Sequence, residues 1–143
     1  MLEIGTGHGA SAFMLARAAP MAFIASLSVN AVEAKAAQRR LDALGCNAKV
    51  IVQPSWDFYN VVRHPWNFIL VDGDHNHIRR DLEWWERVAP GGLMLFHDYS
   101  PAGSAHPSPI VFAELVEFGK RLRREPDVSI VDDTLTGMVG WTK

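Results

Sequence analysis

Two stretches of the chain gather residue types that could do chemistry. Near the start, Glu3-Ile4-Gly5-Thr6-Gly7-His8-Gly9 sets three glycines at every second position where a short apolar run ends. Glycine lets backbone approach a ligand closely, and the N-terminus of a following helix favours negative groups. On their own, Gly5, Gly7 and Ala10 also satisfy the permissive form of a dinucleotide-binding loop. Further along, Phe68-Ile69-Leu70-Val71 runs into Asp72-Gly73-Asp74-His75, and Leu93-Met94-Leu95-Phe96 runs into His97-Asp98. Carboxylates and imidazoles at the ends of neighbouring buried strands can converge, and an imidazole titrates near neutrality. His75 is the first candidate for a catalytic base and His97 the second. The alternative for His75 is a helix-start residue bonded to Asp72 or Asp74 without catalysis.

The elements that would position these groups follow from the alternation of short apolar runs with longer amphipathic ones, which indicates a parallel α/β sheet. Residues 1–4 are expected as the end of a truncated first strand, with further strands at 21–27, 49–53, 67–72 and 93–96. Helices are expected at 10–19, 30–44, 77–88 and 110–124, the first ended by Pro20 and the second by Gly45. Residues 54–65 read as a loop with one helical turn near Phe58-Tyr59-Asn60, and Pro90-Gly91-Gly92 as a turn. The proline-rich stretch 99–109 reads as a loop over the site. Short strands at 128–131 and 138–142 follow, separated by a turn containing Thr136-Gly137. The expected fold is a Rossmann-like, doubly wound, mainly parallel sheet with an antiparallel C-terminal strand, in a single domain over residues 1–143.

Composition narrows the class. Hydrophobic residues make up 48% and charged residues 21%, the balance of a globular chain and not of a disordered one. A net charge of -2 argues against nucleic acid as a partner, and Lys120-Arg121-Leu122-Arg123-Arg124 reads as a solvated helix face. The apolar stretch 10–27 is interrupted by Arg17, Pro20 and two serines, so neither a membrane span nor a signal peptide is expected. A lone cysteine, Cys46, cannot form an intramolecular disulfide, which suits the cytoplasm.

Glu3-x-Gly5-x-Gly7, taken with Asp72-Gly73-Asp74-His75, Arg80-Asp81-Leu82 and Ala89-Pro90-Gly91-Gly92 through His97-Asp98-Tyr99, resembles a known family. It is that of the class I S-adenosylmethionine-dependent methyltransferases, in the subgroup of cephalosporin-hydroxylase-like and catechol or caffeoyl-CoA O-methyltransferases. The resemblance implies S-adenosylmethionine held by Glu3, Gly5, Gly7 and Gly9, with Ser26, Ser55 and Asp72 also on its side. It implies methyl transfer to a small-molecule acceptor, at oxygen, and a divalent cation such as magnesium on Asp72, His97 and Asp98. It also implies a further N-terminal segment; without one, an exposed patch would favour a homodimer.

Several residues depart from the family pattern. Ser26 stands where an acid usually binds the ribose hydroxyls, and Gln53-Pro54-Ser55 where another acid is usual. A histidine in the cation set suits softer ions than magnesium. Two other readings therefore stay open: a non-catalytic binding or assembly module on the methyltransferase fold, and a nicotinamide-dependent oxidoreductase using the same loop. Asp81 is expected to pair with Arg79, Arg80 or a nearby loop. Trp84, Trp85 and Trp56 are expected in the core or an interface, with Trp56 also a candidate for the adenine side, and Tyr99 could line an acceptor pocket.

Overall fold

The computed structural model describes residues 1–131 and 136–143. Strands β1 (Leu2–Ile4), β2 (Ile24–Ser28), β3 (Ala48–Val52), β4 (Trp66–Val71) and β5 (Val88–His97) run parallel. Strand β7 (Met138–Thr142) pairs antiparallel with β5 and with β6 (Val128–Ile130). The order across the sheet is β3-β2-β1-β4-β5-β7-β6, which is the doubly wound arrangement expected. Between them lie α1 (Ala10–Ala18), α2 (Ala31–Ala43), α3 (Ser55–Val61), α4 (Ile78–Asp81) and α5 (Pro109–Leu122). The direction of winding reverses between β1 and β4, and in open α/β sheets ligands bind beyond the strand ends at such a switch.

Local sequence explains most of these boundaries. All residues of β1 and β2 are buried, as befits parallel strands covered on both faces. Asn30 caps α2, its side-chain oxygen accepting from the backbone N–H of Val32 at 3.0 Å and of Glu33 at 3.2 Å. Gly45, in the left-handed region at φ +67°, lets the chain leave α2. Pro109 opens α5, where a missing N–H is harmless. The main core gathers Leu2, Ile4, Ile69, Met94, Phe96 and Trp141 on one face of the sheet with Trp84 and Leu115 packed against them, while Ala12, Ala34, Ala37, Leu41 and Val50 form a smaller cluster on the other face. No helix among the described residues is long and apolar enough to cross a membrane.

Three expectations are corrected. Residues 54–65 hold a seven-residue helix, α3, because Phe58 can reach the core and Ser55 a buried partner. The segment after β4 is not one α-helix: 3₁₀ turns at His75–His77 and Leu82–Arg87 flank the single turn of α4. Its buried residues are Ile78, Asp81, Leu82 and Trp84, among which Ile78, Asp81 and Trp84 fall three positions apart, the spacing that 3₁₀ geometry stacks on one side. Pro90-Gly91-Gly92 does not precede β5 but lies within it, as an irregularity where the register against β4 shifts between Trp66 and Phe68. Gly91 takes φ +75°, and a side chain on Gly92 would begin 2.9 Å from the carbonyl oxygens of Ala89 and Asn67. The turn expected around Thr136-Gly137 lies partly outside the described residues.

Candidate functional site

The ends of β1 to β4 open on a cleft of about 400 Å³ at the switch point. Its wall takes Gly5, Thr6 and Gly7 after β1, Ser28, Asn30 and Glu33 around the end of β2, Ser55 and Trp56 after β3, and Asp72, Gly73 and Asp74 after β4. The two loop glycines serve different ends. A side chain on Gly5 would begin 2.0 Å from the Asp72 carbonyl oxygen, so only glycine lets the ends of β1 and β4 meet. Gly7 has φ +48° and open space where its side chain would be, which is the room a ligand needs.

Glu3, Ser26 and Gly9 are not on this wall. Glu3 and Ser26 are fully buried beneath the loop, where Ser26 Oγ donates to Glu3 Oε2 and lies 2.7 Å from Thr6 Oγ1. Burial pushes the Glu3 carboxyl above the usual carboxylate range, against the hydrogen bonds from Ser11 and Ser26 that lower it. Its Oε1 is buried with no protein partner. The placement of Ser26 as the strand-end ribose residue is therefore corrected: β2 runs two residues further, and Ser28 occupies that end. Gly9 packs on α2, where its side chain would begin 3.2 Å from Ala37 Cβ.

Beyond β4 and β5 the side chains are titratable. His75 Nε2 lies 2.8 Å from Asp98 Oδ2. His97 Nδ1 lies 3.1 Å from Asp98 Oδ1 and 3.3 Å from Asp72 Oδ1, while its Nε2 meets Thr136 Oγ1 at 3.0 Å. The structural alternative for His75 thus has a bond of its kind, but to Asp98 and not to Asp72 or Asp74. Asp98 is held at φ +60°, a region Asp tolerates better than most residues, and this turns its carboxylate back towards both histidines. Burial raises the Asp72 carboxyl, with Asp98 adding to the rise and His97 and His75 opposing it. Ligand atoms of Asp72, His97 and Asp98 all lie within 4.8 Å of one another. Nδ1 of His97 is buried and makes no hydrogen bond. With Nδ1 facing two carboxylate oxygens, the three side chains can share either a proton on that nitrogen or a cation set between them.

Sequence reasoning missed Asp81 and His77. Asp81 forms no ion pair with Arg79, which bonds to Glu114 at 2.7 Å, or with Arg80, which lies over Trp56. Instead it is 2% exposed, accepts from Ser55 Oγ, and lines the cleft. An acid in step with Ile78 and Trp84 was the available signal. His77 also lines the cleft, bonded to Asp74 at 3.0 Å and stacked on Trp56 with ring centres 4.8 Å apart. Trp84 is core, as expected, and Trp56 is on the cleft wall. Tyr99 stacks on Phe112 and lines a separate hollow with the end of α5.

A family model described as a methyltransferase domain matches residues 2–99, more than half of the chain. The chain belongs to this methyltransferase family. The resemblance drawn from the glycine loop and the two strand-end motifs is thereby borne out, and the oxidoreductase reading is set aside. No curated protein matches the chain in sequence. Among solved structures it is similar to the O-methyltransferase from Bacillus cereus in complex with SAH, with 20% identity and TM-score 0.77, over 99% of this chain and 73% of that one. It is similar to the O-methyltransferase TomG from Streptomyces achromogenes in complex with SAM, with 20% identity and TM-score 0.76, over 99% and 72%. An rRNA methylase from Streptococcus thermophilus aligns with 15% identity and TM-score 0.72, over 99% and 86%. At such identities these three matches speak for the methyltransferase's Rossmann-like fold.

Proposed function

We propose that this methyltransferase moves the methyl group of S-adenosylmethionine to a hydroxyl oxygen of a small molecule. The observation that carries the reading is the junction of the open cleft over Gly7 with the His75, His97, Asp72 and Asp98 cluster, which share Asp72 as a common wall. Two of the similar structures are named O-methyltransferases and were solved with SAM or SAH. The basic run Lys120–Arg124 is not part of the cleft wall, which supports a small molecule over RNA as the acceptor. The lone Cys46, which has no disulfide partner in the chain, supports a cytoplasmic setting.

S-adenosylmethionine supplies an electrophilic methyl on a positive sulfur; its transfer breaks the S–CH₃ bond, forms an O–CH₃ bond and releases the hydroxyl proton. The protein's part is alignment and proton removal, and alignment alone can be worth roughly 7 to 11 kcal/mol. Gly5, Thr6 and Gly7 form the floor, and the unpartnered Glu3 Oε1 buried beneath them is an acceptor for the ligand's ammonium through a water. Ser28 and Glu33 face the ribose, and Ser55 and Trp56 the adenine. Asp98 orients the His75 ring through Nε2 and leaves Nδ1 to take the acceptor's proton. Asp72, His97 and Asp98 would hold a divalent cation of borderline character in preference to magnesium, and it would favour the ionised form of the acceptor oxygen.

Calorimetry with S-adenosylhomocysteine and with NAD tests the reading. Micromolar binding of the first and none of the second is expected. Binding of neither would favour a non-catalytic module.

A further inference from the structure

Asp81 is a buried acid that methyl transfer does not use. Its side chain sits between Ser55 at the start of α3 and Gly73 just after β4, and it reaches the cleft wall. Ser55 Oγ donates to Asp81 Oδ1. The second oxygen, Oδ2, lies 3.6 Å from the point where a Gly73 side chain would begin, so glycine at 73 keeps that oxygen uncovered. The charged groups nearest to it are Asp74 and His77 on the preceding turn, with Asp72, His75, His97 and Asp98 around a small adjoining hollow. Burial pushes its pKa up to about 6, against the Ser55 hydrogen bond and His77, so at pH 8 the carboxyl is ionised. An ionised carboxylate only accepts hydrogen bonds, and a serine hydroxyl whose proton is committed to it has only lone pairs to offer a ligand. This corner of the cleft therefore presents two acceptors side by side, and a buried carboxylate so placed is stabilised by a ligand N–H.

We infer that Ser55 and Asp81 together read the exocyclic amine of the cofactor's adenine, with Asp81 the specificity-determining residue. The inference rests on the proposed methyltransferase function. The reacting end of the ligand has to face the Asp72, His97 and Asp98 cluster, so its far end extends along the wall of Ser28, Ser55 and Trp56. There the Trp56 ring offers an aromatic surface beside the acceptor pair. Neither Ser28 at the end of β2 nor Gln53 after β3 carries a charge, which leaves Asp81 as the carboxylate on that side next to Ser55.

The test is discrimination at pH 8 between S-adenosylhomocysteine and S-inosylhomocysteine, whose base carries a carbonyl in place of the amine. Wild type is expected to prefer the amine by about 10- to 100-fold, since a site built to bond one group rejects its replacement. Asp81→Asn, whose amide can donate to a carbonyl, should bring the two ligands within about threefold. Ser55→Ala should narrow the preference as well, and serves if Asp81→Asn does not fold. A folded Asp81→Asn or Ser55→Ala protein that keeps the wild-type preference would overturn the inference, as would a wild type that binds both ligands equally. A wild type that binds neither would remove the methyltransferase reading and this inference with it.

Discussion

Along β1 and β2 the cleft is walled by backbone and neutral side chains, with Gly5, Gly7, Ser28 and Asn30 in front and Glu33 at the rim. Beyond β4 and β5 the wall is a dense set of titratable groups, with Asp72, His75, His97 and Asp98 linked by contacts of 2.8 to 3.3 Å. The first region can select a ligand by shape and hydrogen bonds, and little in it answers to pH. The second can take up a proton or hold a cation, and its geometry depends on the charge state of each member. The difference assigns binding to one region and turnover to the other, an assignment that separate variants can break.

The largest effect should come from Gly7→Arg, which fills the open space over the loop. Loss of S-adenosylhomocysteine binding by more than about 100-fold is expected, with circular dichroism unchanged because the site is exposed. Unaltered affinity would mean the ligand does not lie over Gly7.

Next is Asp98→Asn, which tolerates the positive φ but removes the charge that both histidines face. We expect kcat/KM to fall about 100-fold, with cofactor affinity within about threefold of wild type. Chelation should lower turnover of wild type and change the variant much less. A parallel loss of cofactor affinity would erase the proposed division between the two regions.

Asp81→Asn lies between the regions and should stabilise the fold at pH 8 while weakening recognition. The Asp81 pKa is raised from 3.8 to about 6 on folding, so the folded protein binds more protons than the unfolded chain between these values. Wild-type stability is thus favoured below about pH 4 and is lost as pH rises through 6. The variant's advantage, on the order of 1 to 3 kcal/mol above pH 6, should fade towards pH 4, as read from urea melts across that range. An advantage independent of pH would point to packing instead of charge.

The smallest effect is a gain. Ser28→Asp restores a carboxylate at the true end of β2, and about three- to tenfold tighter binding of S-adenosylhomocysteine is expected by calorimetry. No gain would place the ribose away from Ser28, with Glu33 the nearer acid.

The chain's own residues settled much of this in advance. Alternating apolar runs and glycine punctuation determine strand and helix order, since burial on both faces requires continuous apolar strands and Gly45, Pro20 and Asn30 can end or begin helices by local stereochemistry. The convergence of Asp72 with His97-Asp98 was legible because parallel strands of one sheet put their carboxyl ends on one edge. Tertiary structure alone decided the rest. Ser26 and Ser28 lie two residues apart on one strand, and only the pairing with β3 fixes which of them ends it. The glycines of the first loop look alike in sequence, yet Gly5 answers to the Asp72 backbone, Gly9 to Ala37 and Gly7 to empty space. Asp81, preceded by two arginines in sequence, is turned inward against Ser55, a partner 26 positions away that no local pattern could supply.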